Sequence, residues 1–178
     1  GPVGLFAVLY LSSLGIEHVL AVTTGANPAR DEAAKRFGAA ETLSLRALGE
    51  EGVDAHIRAI DPLGAELVFE ASGNPNAIPQ GMSWLRNRGV YLVPGQYSNG
   101  APVEIAPQII TFKALRILGS SQYSMCDVHA YLAFLQAHPE MHDAIRAVAV
   151  RYPVSRVNDA IEDTKAGRNL KTLLVPEG

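Results

Sequence analysis

Gly1 and Gly4 stand three residues apart at the head of GPVGLFAVLYLSSLG, residues 1–15, just before an apolar run. This is the spacing of the second and third glycines of Gly-x-Gly-x-x-Gly. In that turn the bare backbone approaches a pyrophosphate and the following helix offers its N–H groups and positive dipole end. Taken alone, the pair reads better as a helix start with Pro2 in the first turn. Two other spacings invite chemistry. In HPEMH, His138 and His142 lie four apart, as two helix-borne zinc ligands would. Pro139, however, stands where such a motif needs its glutamate, and proline interrupts a helix interior, so a solvated helix end is the better reading. In CDVH, Cys126 and His129 suggest a nucleophile and its base, but a small buried thiol near a helix start is the stronger reading. Trp84 and Tyr91 fit core or sheet packing better than a stacking platform.

The elements that would position these residues follow from periodicity. A helix over the opening run is followed by a strand at 18–23, a turn at 25–28, a helix at 29–37 stopped by Gly38, and a strand at 41–45. A helix at 48–60, a buried strand at 66–73 running into a turn, and a helix at 77–85 with RNRG (86–89) as its basic end come next. Strands at 90–96 and 115–119 complete an alternation that predicts a parallel sheet covered by helices on both faces. Beyond it lie a helix at 127–136, a strand at 147–152, and a helix at 155–166 with Ser155 as N-cap and Gly167 as C-cap. A last strand at 170–176 belongs to another sheet. Each strand of the main alternation ends in a Gly- or Ser-rich turn on one side, the carboxyl edge where open parallel sheets bind ligands.

Bulk properties narrow the class. The chain has 178 residues, 48% hydrophobic and 19% charged, with a net charge of −3. There is no basic footprint for nucleic acid or anionic lipid. The single cysteine excludes an internal disulfide and a multi-Cys zinc site. No apolar run approaches the ~20 residues of a membrane span, and no basic leader precedes the apolar start. The expectation is a soluble cytoplasmic protein.

Taken in order, GPVGL…LG (1–15), AAKRFGA (33–39), ELVFEASG (66–73), YLVPG (91–95), ILGS (117–120) and YPVSRVNDAIEDTKAG…LKTLLVP (152–176) resemble the medium-chain dehydrogenase/reductase superfamily, specifically its zinc-dependent alcohol/polyol dehydrogenase branch. The resemblance covers the whole chain and implies a Rossmann-type doubly wound α/β sheet, ordered 3-2-1-4-5-6, that lacks its first strand. Residues 1–145 are expected to form the nucleotide-binding domain. Residues 146–178 are expected to form a tail that rejoins a GroES-like catalytic domain lying ahead of this chain. Zinc is expected only in that catalytic domain, with no catalytic or metal residue here. The implied function is the cofactor-binding part of an oxidoreductase moving hydride between a small-molecule alcohol or carbonyl and NAD(P), the fragment being inactive alone. Alternatives are a zinc-free quinone or enone reductase and a non-catalytic redox-sensing module. Without the central strand, the segments at 18–23 and 66–70 have unpaired edges.

The same resemblance implies a cofactor site. Gly1, Pro2, Val3 and Gly4 would face the pyrophosphate, and Ala71, Ser72 and Gly73 would border the crevice. Gly95 closes the next turn, while Gln96, Ser120 and Gln122 would hold the carboxamide through backbone groups. Lys171 falls where a basic residue reaches the pyrophosphate, or is an exposed lysine on an edge strand. Thr24 and Gly25 lie where NAD-binding members carry an acidic residue for the ribose hydroxyls. No acidic residue occurs between His18 and Arg30. GANPAR is similar to the Gly-Ser-Arg-Pro form of some NADP-dependent members, except that Asn27 replaces the arginine. Asn27 and Arg30 are the candidates for a 2′-phosphate, and NADP is favoured over NAD. PVEI (102–105) falls where the family pairs subunits edge to edge, so a homo-oligomer is expected.

Overall fold

The computed structural model describes residues 1–96 and 100–177. Helices and strands alternate along the chain: α1 (Pro2–Ser13), β1 (Leu20–Thr23), α2 (Pro28–Arg36), β2 (Glu41–Ser44), α3 (Leu45–Ile60), β3 (Ala65–Phe69), α4 (Ala77–Trp84), β4 (Leu85–Val93), α5 (Gln108–Phe112), β5 (Arg116–Gly119), α6 (Met125–Ala137), α7 (His142–Ala147), β6 (Ala149–Pro153), α8 (Val157–Lys165) and β7 (Lys171–Val175). They fall into two compact units. One comprises Leu20–Ala26 and Thr42–Gln122; the other comprises Gly1–Val19, Asn27–Glu41 and Tyr123–Gly178.

The first unit holds the sheet that carries the strand-end turns. β3, β4 and β5 run parallel, with Val68 opposite Tyr91 and Tyr91 opposite Ile117. β1 pairs with β2, and among the described residues no ladder joins β1 to β3. Every residue of β1 is only half-buried, and β3 has none fully buried. Two clusters make the core, one of Leu43, Val53, Ile57 and Trp84, the other of Met82, Leu85, Tyr91 and Leu115.

RNRG is not the end of a helix. α4 stops at Trp84 and the strand starts at Leu85, which is fully buried opposite Ala65. Arg86 pairs with Glu66 at 2.5 Å, and Arg88 takes φ 60° where the register shifts. The Lys113 ammonium secures this junction, donating to the carbonyls of Met82 at 3.1 Å, Ser83 at 2.7 Å and Leu85 at 2.7 Å. Three carbonyls that helix and strand leave unpaired are thereby satisfied.

In the second unit α1 meets α2 through Phe6 and Phe37, whose rings stand 6.0 Å apart. Ser124 and Asp127 form a reciprocal capping box at the start of α6. Cys126, expected to be buried, is exposed there, in a helix none of whose residues is buried. β6 and β7 form their own parallel pair, Ala149 opposite Lys171 through Pro153 opposite Val175. Ser155 does not cap α8: a 3-10 turn over Val154–Arg156 precedes the helix, and the Ser155 N–H donates to Glu177 Oε1 at 3.1 Å. Gly167 ends α8 in the left-handed region at φ 69°.

Several carboxylates of this unit lie below their ordinary pKa. Asp127 is held down by the Ser124 N–H and hydroxyl, Asp163 by the Tyr152 hydroxyl and then Arg168, and Glu177 by Ser155. A depressed folded-state pKa contributes stability that is present above the unfolded value, about 4, and is lost as pH falls through the lower folded value. Amide protection across α6, β6, α8 and β7 is therefore expected to fall between pH 5 and pH 3, ahead of β4, by roughly these residues' ordinary titration range. Hydrogen-exchange protection factors corrected for intrinsic rates test this; equal or earlier loss in β4 would contradict it.

Candidate functional site

The turns after β3 and β4 are built as one object. The chain continues the ladder past β3: the Glu70 N–H donates to Leu92 O at 2.8 Å, and the Gly95 N–H donates to Glu70 O at 3.0 Å. Glu70 is 4% exposed, the only buried charged side chain among the described residues. Its Oε1 accepts from the Ser72 N–H at 2.6 Å, the Ser72 hydroxyl at 2.6 Å and the Gly73 N–H at 3.0 Å. Among the described residues nothing donates to its buried Oε2. Its charge reaches Tyr91, whose phenol is pushed above its ordinary pKa by burial first and Glu70 second, while donating to Ala77 O at 2.6 Å.

Two glycines permit this packing. Gly73 has φ 71°, and a Cβ there would lie 2.9 Å from Gly95 O. A Cβ on Gly95 would come 2.4 Å from Glu70 Oε2 and 2.9 Å from both Ala71 Cα and Glu70 O. Beside them the Gln96 amide donates to Asn74 O at 2.9 Å. Because the N–H groups of Ser72 and Gly73 are consumed by Glu70, the turn is not an anion-binding nest. Ser120 and Gln122 follow β5 at the same end of the same parallel sheet; both are exposed, and Gln122 has φ 66°.

Thr24 and Gly25 follow β1 in this unit. The Gly25 N–H donates to Thr23 Oγ1 at 3.1 Å, and the Ala26 N–H to Thr24 Oγ1 at 3.4 Å. Gly25 has φ 71°, and a Cβ there would lie 2.0 Å from Ser44 Oγ. Ser44 is itself fixed, since its Oγ caps α3 by accepting from the Ala47 N–H at 3.3 Å.

The remaining candidates lie in the other unit. Gly1 is the N-cap of α1, its carbonyl accepting from the Leu5 N–H at 3.1 Å, and Pro2, Val3 and Gly4 make the first turn. No acidic side chain occupies that turn. Arg30 lies in the first turn of α2, in the same unit as α1. Asn27 caps α2, accepting from the Ala29 N–H at 3.1 Å and the Arg30 N–H at 3.4 Å, while its Nδ2 donates to Gly167 O at 3.1 Å. Both ends of this amide are engaged in the fold. Lys171 is exposed at the start of β7.

The histidine pair is not a metal site. His138 Nδ1 meets Glu140 at 2.9 Å, and His142 Nε2 meets Leu135 O at 2.8 Å. Among the described residues no three His, Cys, Asp or Glu side chains come together as metal ligands. No described helix is long and apolar enough to cross a membrane. Sequence reasoning passed over Glu70 and Ser44. The signal for Glu70 was present in EASG, an acidic residue placed so that the N–H groups two and three residues on can reach its carboxylate.

Comparisons with known proteins agree on one group. A family described as zinc-binding dehydrogenase matches residues 2–137. The 5-exo-hydroxycamphor dehydrogenase of Pseudomonas putida is 27% identical over 175 residues, covering 98% of this chain and 48% of the relative. An alcohol dehydrogenase structure from Thermotoga maritima superposes with a TM-score of 0.87 at 27% identity, covering 99% of this chain and 48% of that one. A zinc-binding dehydrogenase from Sinorhizobium meliloti 1021, bound to NADP, gives a TM-score of 0.80 at 26% identity, covering 99% and 50%. The chain spans about half the length of the curated relatives it matches.

Proposed function

The chain belongs to the zinc-binding dehydrogenase family, and from that premise we propose that it holds the nicotinamide cofactor of an oxidoreductase acting on a small alcohol or carbonyl. The observation that carries this reading is the interlocked pair of turns at Glu70–Gly73 and Pro94–Gln96. They form a ledge, bare of side chains at Gly73 and Gly95, on the carboxyl edge of a parallel sheet. Residues 1–145 are assigned to nucleotide binding and 146–178 to a tail that joins a catalytic domain. Among the described residues no group of side chains fits a zinc ion, and zinc is assigned to that other domain.

When bound, the nicotinamide ring accepts or releases hydride, the substrate alcohol giving a carbonyl and a proton in the oxidative direction. The chain's own work is positioning. The start of α1, at Val3 and Gly4, would offer N–H groups and a dipole to the diphosphate, with Arg30 and Lys171 as candidate cations. Ala71–Gly73 supply carbonyl acceptors, and Gln96, Ser120 and Gln122 present backbone groups to the carboxamide. Thr24, Gly25 and Asn27 border the adenosine ribose. The whole protein is assigned to the cytoplasm, where an exposed lone thiol such as Cys126 stays reduced. It is assigned as a homo-oligomer, supported by β5, an edge strand among the described residues with Ile117 and Leu118 exposed.

NADP is the preferred form, because no carboxylate stands at the end of β1 to repel a 2′-phosphate and Arg30 supplies positive charge. Calorimetric titration of the full-length protein is expected to give tighter binding of NADP than of NAD. A tenfold preference for NAD, about 1.4 kcal/mol, would overturn the assignment of cofactor. Binding of neither would overturn the nucleotide site itself.

A further inference from the structure

Glu70 is more than a brace for its turn. Oε1 takes all three hydrogen bonds, from Ser72 and Gly73, while Oε2 is buried against Gly95 with no donor among the described residues. The three bonds alone do not require a charge, since an amide carbonyl oxygen accepts the same three. The carboxylate adds a negative charge in a poorly solvated place, immediately behind Gly95. Next in the chain after Gly95 is Gln96, where the proposed reading seats the carboxamide and its ring. The ring is cationic when oxidised and neutral when reduced. The phosphates and ribose are common to both forms, so their interactions with the protein cancel in a ratio of affinities.

We propose that Glu70 is a positioning residue that also sets redox-state preference, its buried charge favouring the oxidised, cationic nicotinamide over the reduced form. This rests on the cofactor reading above. The effect is through space and partly screened, on the order of fivefold in the ratio of dissociation constants.

The test measures dissociation constants of the oxidised and reduced cofactor for the full-length protein and for Glu70→Gln. The near-isosteric amide keeps the acceptor for Ser72 and Gly73 and removes the charge. The variant is expected to bind the oxidised form about fivefold more weakly and the reduced form within about twofold of the unaltered protein. Parallel loss of both affinities, or an unchanged ratio, would overturn the charge role and leave only turn support. A second measurement needs no variant: the unaltered protein is expected to bind the pyridinium dinucleotide more tightly than its uncharged benzamide-ring analogue. Equal binding of those two overturns the proposal while leaving the nucleotide site standing. No binding of either overturns both.

Discussion

The 178-residue chain on its own is expected to reduce neither NAD nor NADP with any alcohol. Alcohol oxidation at neutral pH needs a group that stabilises the alkoxide and a route for its proton, and metal Lewis acids are this family's implied means. Among the described residues the candidate groups are otherwise engaged or exposed. His138 and His142 are engaged with Glu140 and the Leu135 carbonyl, and Cys126 sits exposed at a helix start. Glu70, the one buried carboxylate among the described residues, is turned into its own backbone. The assay is the absorbance of reduced cofactor over a panel of primary and secondary alcohols. Turnover that co-purifies with the chain, and that is lost on Gly95→Ala, would refute the assignment of chemistry to a separate domain.

Gly95→Ala is expected to lower stability by about 3 kcal/mol, the upper end of what overpacking costs a close-packed site. The new methyl would meet Glu70 Oε2 at 2.4 Å and two backbone atoms at 2.9 Å. If the carboxylate turns away, the N–H groups of Ser72 and Gly73 lose their acceptor. If it stays, both turns must separate, and the Gly95 N–H to Glu70 O bond goes with them. For a chain of this size that is a fall in Tm of roughly 6–12 °C. Cofactor affinity should drop at least tenfold by the same displacement, about 1.4 kcal/mol. Gly100→Ala is the control, because a Cβ there has nothing within 4 Å. Melting of the two variants within 2 °C of each other, against the roughly 6 °C minimum expected, would show that the turns are not locked as described.

Periodicity and turn residues made most of the architecture legible. Gly38 and Gly167 marked helix ends because positive φ at those points strongly favours glycine, and both adopt it, at 99° and 69°. The apolar, β-branched runs gave the strands because a sheet covered on both faces has no polar stripe to interrupt them. RNRG misled because charge at a helix end is a generic signal. What starts β4 at Leu85 is a long-range fact, the Lys113 ammonium collecting three carbonyls. Cys126 misled for a similar reason: an apolar run suggests a buried face, yet no residue of α6 is buried. Of the site, the glycines were visible and their partners were not. Glu70 and Ser44 matter through what their side chains touch across a turn, which spacing along the chain does not encode.

The contact between Gly25 and Ser44 also constrains how such a protein can change its cofactor over generations. Under the reading proposed here, position 25 is where an acidic residue would confer NAD selectivity, yet a side chain placed there first collides with Ser44 Oγ at 2.0 Å. Ser44 serves as the cap of α3, and replacing a capping serine with glycine costs only a few tenths of a kcal/mol. The order of substitutions is therefore not free. Loss of the hydroxyl at 44 is a nearly neutral first step that opens room for the second. The acidic residue at 25, arriving alone, meets a fitness valley made of steric strain rather than of altered chemistry.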